Sequence, residues 1–226
     1  MLRIMMPVGA AIGEEGKVTK APDLRYERKL WREGLEAVAG VDEAGVGPMA
    51  GPVVAAAVIF APEVFIKGVH DSKRLSAEKR EALFPLIQER AHSVGIGVAE
   101  VDEIDRHNIY HATTAAFIRA IQALARAPQH VLVDGRRIAG LAIPQTRIVG
   151  GDRKSFCIAA ASIIAKVTRD RLMRDYDISY PNYGFAQHKG YCTAEHVAAV
   201  ERFGPSPIHR TSFAPVAMAA QLRLKF

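Results

Sequence analysis

Apolar and polar positions along the chain alternate between strand-length and helix-length patterns. Residues 53–60 (VVAAAVIF) form a nearly unbroken apolar run, which predicts a strand buried on both faces. Residues 37–41 predict a strand running directly into Asp42 and Glu43, and the charged segment from about Asp23 through residues 31–36 predicts a first helix. Between the two strands, Gly45, Gly47 and Gly51 with Pro48 and Pro52 mark a tight connection. Ser76 is placed to cap a helix carrying Ala82, Leu83, Leu86 and Ile87 at helical spacing, and Pro85 predicts a kink or break within it. Val94, Ile96 and Val98 alternate with smaller residues, as in a strand. Phe117, Ile121 and Leu124 predict a helix over about 110–127. Residues 130–134 predict a strand ending at Asp134-Gly135. Residues 147–149 predict another, which leads through Gly150-Gly151-Asp152 into a long helix over 153–175. Asp152 stands where that helix would be capped. Beyond Ser179 the Pro, Gly and His content rises, which predicts short helices packed on the main body. The fold class is therefore α/β, a mixed sheet flanked by helices with a C-terminal helical extension.

At 226 residues the chain is long enough for one domain whose core needs no disulfide or metal staple. Its 49% hydrophobic and 24% charged residues are the balance of an ordinary globule rather than a disordered chain. No stretch approaches about 18 uncharged apolar residues, which excludes a membrane-spanning helix. Pro7 interrupts the apolar start of the chain and no good cleavage site follows, so no secretory signal is expected. Cys157 and Cys192 are too few for a disulfide framework or a thiolate zinc site, which points to the cytoplasm. The net charge of +6 permits a polyanionic partner without establishing one.

Chemistry in such folds collects beyond the strand ends, where Asp42-Glu43, Asp134 and Asp152 all fall. Hard oxygen ligands of this kind suit Mg²⁺ or Mn²⁺. Neighbouring strand residues point to opposite faces, so Asp42 and Glu43 serve one cluster only if the strand twists or ends there. Each position also has a plainer role: Asp134-Gly135 as a turn pair, Asp152 as a helix cap. His107 and His111 read as surface residues, and the basic segments at Arg136-Arg137 and 166–174 as solvated faces.

The motifs carry the reading further. Ala39-Gly-Val-Asp-Glu-Ala-Gly45, Gly47-Pro-Met-Ala-Gly-Pro-Val53, Asp71-Ser-Lys-Arg-Leu75 and Asn108 follow one another in order. After them come Val133-Asp-Gly135, Gly151-Asp-Arg-Lys, the segment 158–167 with Arg169-Asp-Arg171, and Tyr180-Pro-Asn-Tyr-Gly-Phe185. His188-Lys-Gly-Tyr191 and His209-Arg-Thr-Ser-Phe213 complete the set. Together they resemble the type 2 ribonuclease H family, bacterial ribonuclease HII, over roughly residues 24–216. The resemblance implies a ribonuclease H-like domain over 24–216, whose helical C-terminal part is about 176–216. An N-terminal extension, 1–23, expected to be disordered, and a tail, 217–226, lie outside it. It also implies an endoribonuclease that hydrolyses the RNA strand of RNA/DNA hybrids. Such an enzyme incises 5′ of ribonucleotides embedded in duplex DNA, leaving 3′-hydroxyl and 5′-phosphate ends. By the motif positions, Asp42, Glu43, Asp134 and Asp152 would be the catalytic carboxylates holding two divalent ions, Mn²⁺ or Mg²⁺.

The same resemblance places Tyr191 against the sugar at the RNA–DNA junction and Lys73 near the phosphate backbone. Lys166, Arg169 and Arg210 are candidates for the same basic groove, with surface solvation as the plainer fate of each. Gly45-Val46-Gly47 stands where the family has Gly-Arg-Gly, so the glycines that permit close backbone approach are present and the arginine's charge is missing. The carboxylates alone also fit a type 3 ribonuclease H, a resolvase-like nuclease or a non-catalytic nucleic-acid-binding protein. Gln221, Leu222, Leu224 and Phe226 resemble the peptide by which bacterial replication and repair proteins bind the sliding clamp, a candidate partner beside the nucleic acid.

Overall fold

The computed structural model describes residues 21–223; the expected disorder of 1–20 and the tail residues Leu224 and Phe226 lie outside them, as does the side chain of Leu222. Five strands form one mixed sheet in the order β3-β2-β1-β4-β5: β1 (Val38–Ala44), β2 (Val53–Ile59), β3 (Ser93–Ala99), β4 (His130–Asp134) and β5 (Gln145–Ile148). β1 and β3 run antiparallel to β2, whereas β1, β4 and β5 are parallel to one another. The β2 run is buried throughout because both of its faces are covered. Ala56 and Val58 meet the face packed by α2 (Ala77–Arg90) and α4 (Phe156–Ser179), while Val53, Ala55, Ala57 and Ile59 meet α3 (Val101–Gln122). On β3 the alternation holds, and the fully buried positions are the small ones. At Gly97 a Cβ would lie 2.1 Å from the Ala116 carbonyl oxygen, so only glycine lets α3 approach that closely.

Three elements differ from the sequence pattern. α2 runs unbroken through Pro85, which is exposed, because buried Leu83, Phe84 and Ile87 hold the helix on the core; Leu86 is exposed. α3 begins nine residues before the expected start at 110 and ends at Gln122, short of 127. It is two helices joined at Asn108, whose backbone is left-handed (φ 65°) and whose Oδ1 accepts from the Tyr110 and His111 amides. Its first half docks the C-terminal lobe: Asp105 accepts from the amides and hydroxyls of Thr211 and Ser212. Finally, Ser155 and not Asp152 caps α4, accepting from the Ile158 amide; Asp152 sits in a separate 3-10 turn, Gly151–Arg153.

α1 (Arg25–Arg32) contributes one buried carboxylate: Glu27 accepts from the Ser155 hydroxyl at 2.6 Å and the Cys157 amide at 2.9 Å, tying this helix to the start of α4. Beyond α4, the lobe consists of α5 (Phe185–His188), α6 (Ala194–Phe203) and α7 (Ala214–Arg223). Buried Val216 and Ala219 pack with Met49 and Val200, so α7 continues the lobe past residue 216. Among the described residues no helix is long and apolar enough to cross a membrane.

Candidate active site

Asp42, Asp134 and Asp152 meet at the ends of the two central parallel strands, each offering an oxygen within 4.8 Å of the others. β1 keeps its pairing with β2 through Ala44, so the alternation of faces is not interrupted at the acidic pair. Asp42 therefore joins the cluster on the α4 side. Glu43 is directed to the α3 side, where it lines a pocket with Asp134 and Arg136 and feels Asp134 electrostatically. Asp134 is fixed by accepting the Gly151 amide at 2.6 Å, which also draws the 3-10 turn carrying Asp152 against the end of β4.

Burial, then repulsion from Glu43 and Asp134, pushes Asp42 well above the usual carboxylate range. Burial, then Asp71 and Asp134, raises Asp152 to about 6, with Lys73 opposing the rise. Glu43 is raised by burial and Asp134 and held down by Arg136 and Lys73. Crowded hard oxygen donors of this kind gain from a divalent cation, which offsets their repulsion, so the donor set fits Mg²⁺ or Mn²⁺. Asp71, the first residue of the 71–75 motif, is a further buried acid at this site, where it acts on Asp152. The sequence signal for it is its position before a 3-10 turn, Ser72–Arg74, where it caps the Lys73 amide at 2.9 Å.

A second pocket is lined by Glu43, Gly45, Val46, Gly47, Lys73, Lys166 and Tyr191, so these predicted residues do converge. Tyr191 is 46% exposed, which fits a ring offered to a ligand rather than a core tyrosine. Lys166 is held by Asp170 at 2.5 Å. Arg169 and Arg210 are not part of the groove. Both are fully buried, because their guanidiniums are consumed by backbone carbonyls. Arg169 donates to Ala50, Pro52 and Lys189; Arg210 donates to Gly45, Val46 and Gly51. The two side chains thus hold the 45–52 loop from beneath. Gly45, at φ +100°, must be glycine twice over, since a Cβ there would also lie 2.1 Å from Arg169 Nε.

The C-terminal lobe fixes Tyr191 through a histidine pair. His196 Nδ1 bonds the Tyr191 carbonyl oxygen at 2.8 Å, His196 Nε2 meets His209 Nε2 at 2.9 Å, and the Ser206 amide donates to His209 Nδ1. Burial above all lowers both imidazoles to about 4. Because folding holds them below the unfolded value of about 6.5, the stability they contribute is present above that pH and is lost as pH falls toward 4. A ring-proton NMR titration should find both neutral at pH 5.5. Midpoints near 6.5 would show that the lobe tolerates their charge.

A mixed sheet whose central parallel strands end in clustered carboxylates, with the exposed Lys73 beside them, defines a metal-dependent nuclease with a ribonuclease H-like fold. The comparisons then specify it. The family description "Ribonuclease HII" matches residues 39–216, and this chain belongs to the ribonuclease HII family. The chain is 54% identical over 193 residues to "Ribonuclease HII" of Geobacillus thermodenitrificans, covering 85% of this chain and 74% of that one. Among solved structures, the ribonuclease H2 of Pyrococcus horikoshii aligns with a TM-score of 0.71 at 29% identity, covering 84% of this chain and 99% of that one. A Bst-RNase HIII in complex with Mn²⁺ shares the fold at a TM-score of 0.66 and 20% identity, covering 86% of this chain and 73% of that one. The protein is accordingly a ribonuclease H, a metal-dependent endonuclease acting on RNA/DNA hybrids.

Proposed function

We propose that the enzyme also incises duplex DNA on the 5′ side of an embedded ribonucleotide, leaving 3′-hydroxyl and 5′-phosphate ends. The observation that carries this reading is the pocket in which Tyr191 faces the Gly45-Val46-Gly47 backbone beside the carboxylates; Tyr191 Cε1 lies 3.8 Å from where a Gly47 Cβ would stand. An aromatic ring packed on a deoxyribose leaves no room for a 2′-hydroxyl there, while close backbone groups read the 2′-hydroxyl of the preceding nucleotide. Asp42, Asp134 and Asp152 would hold one divalent ion, and Glu43, beside Asp134, would complete the site of a second. When bound, two such ions supply Lewis-acid stabilisation of the attacking and leaving oxygens of an in-line displacement. Lys73 and Lys166 position the phosphate backbone, and Arg169 and Arg210 act on the substrate only through the loop they hold. The substrate and the two unpaired cysteines suit a cytoplasmic enzyme of ribonucleotide removal during replication and repair.

The deciding assay incubates the protein with Mg²⁺ or Mn²⁺ and a DNA duplex carrying one ribonucleotide, alongside an RNA/DNA hybrid. Incision of the first supports the proposal; cutting of the hybrid alone defeats it. Val46 is 38% exposed at the rim of the pocket. Val46→Arg is expected to tighten substrate binding and steepen its salt dependence by about one counterion. Equal affinity and salt slope would place residue 46 away from the nucleic acid.

The tail, residues 217–226, is proposed as a clamp-binding peptide whose first part α7 anchors on the lobe through Ala219. Gln221 is exposed at the end of α7, where it is available to a partner. A fluorescent peptide of residues 217–226 should bind the sliding clamp of the same organism saturably. Binding unchanged when Leu224 and Phe226 become alanine would sink the assignment.

A further inference from the structure

A separate pocket of about 450 Å³ opens on the α3 side of the carboxylates, lined by Glu43, Val46, Ile109, Tyr110, Phe117 and Arg136, among others. It shares the ridge of Glu43 and Val46 with the Tyr191 pocket and borders Asp134. We propose that it seats the nucleotide 5′ of the cut, the one whose 3′-oxygen leaves, with its base on the Tyr110–Arg136 stack and its phosphate on the Arg136 guanidinium.

Three observations carry this. First, the platform is already assembled: the Arg136 guanidinium carbon lies 3.8 Å from the Tyr110 ring centroid, and Nη2 donates to the Tyr110 carbonyl oxygen at 3.1 Å. A nucleobase needs such a planar surface, and a guanidinium fixed on an aromatic ring keeps donors for a phosphate. Second, Tyr110 is 43% exposed although Ala112, Thr113 and Phe117 of the same helix are buried. The left-handed Asn108, by capping the Tyr110 and His111 amides, starts a new helical segment with this ring in its first turn. A non-glycine residue in that conformation costs free energy that the site must justify. Third, Arg136 is the cation among the lining residues of this pocket, beside the two carboxylates of Glu43 and Asp134. It would draw a polyanion toward acids that would otherwise repel it.

The direction follows from the ribonucleotide reading, on which this inference rests. If Tyr191 takes the sugar 3′ of the ribonucleotide, the strand crosses the carboxylates and continues 5′ across the Glu43–Val46 ridge into this pocket. The test measures binding of the ribonucleotide duplex by fluorescence anisotropy in an Asp42→Asn background, which prevents cutting and leaves the pocket's lining intact. Tyr110→Ala should weaken binding about tenfold and Tyr110→Phe should preserve it. Arg136→Ala should lower the salt slope by about one. Removing the base 5′ of the cut should abolish the Tyr110→Ala penalty, whereas removing bases elsewhere should leave it. Wild-type incision together with unchanged binding by Tyr110→Ala and Arg136→Ala overturns the pocket and leaves the ribonucleotide reading standing. So does a Tyr110→Ala penalty that ignores the abasic position. Failure of the wild type to incise the ribonucleotide duplex overturns both.

Discussion

Asp42→Asn and Asp134→Asn are each expected to lower cleavage by more than about a thousandfold while leaving the protein folded and able to bind duplex. The amide nearly preserves volume and removes one anionic oxygen donor from a set whose members lie within 4.8 Å of one another. The stability readout sharpens the assignment. Asp42 is buried beside Glu43, Asp134 and Asp152, and burial and these three charges raise it, so removing its charge relieves repulsion. In chelator, Asp42→Asn should melt at or above the wild-type temperature. Saturating Mg²⁺ or Mn²⁺ should raise the wild-type melting temperature, since a ligand at about a hundredfold its Kd adds about 2.7 kcal/mol, and should raise that of the variant much less. Wild-type turnover by either variant at saturating metal would remove these residues from the centre.

The second large effect is expected at Arg210. Its side chain is fully buried, and its donors reach the Gly51 carbonyl at 2.9 and 2.7 Å, Gly45 at 2.6 Å and Val46 at 3.1 Å. Arg210→Met keeps much of the volume but leaves three carbonyls without their donor, and urea unfolding should report a loss of about 3–5 kcal/mol. Arg210→Lys offers one ammonium where a fork served three acceptors, so it should fold yet let the glycine loop shift. A misplacement of about 1 Å at a reacting centre costs about a hundredfold in rate. The expected outcome is a folded Arg210→Lys enzyme with cleavage reduced on that scale. Wild-type stability of the methionine variant, or wild-type kcat/KM of the lysine variant, would mean the loop stands without this support.

The buried β2 run, the Ser76 cap and the strand ending at Asp134 were legible from local pattern, because hydrophobic periodicity and capping are nearest-neighbour physics. The motif resemblance likewise marked the residues that the structure gathers as a triad and as the Tyr191 pocket. Local pattern was mute where one residue's role depends on another far along the chain. Arg169 and Arg210 look like groove cations in sequence, yet all but one of their partner carbonyls lie more than a hundred residues away, and only tertiary packing turns a basic side chain into a buried support. Glu27 has the same history, sitting in a charged helix and closing onto Ser155. Asp152 reads as a helix cap, but Ser155 wins that role once the turn before it is pulled onto Asp134. The division of the acidic pair was conditional in sequence. A strand sends neighbours to opposite faces unless it ends, and β1 continues through Ala44 because its pairing with β2 does. The sequence by itself determined the elements and the inventory of the site; the tertiary structure decided which charges face the substrate and which hold the loop, because that choice depends on long-range contacts that no local pattern encodes.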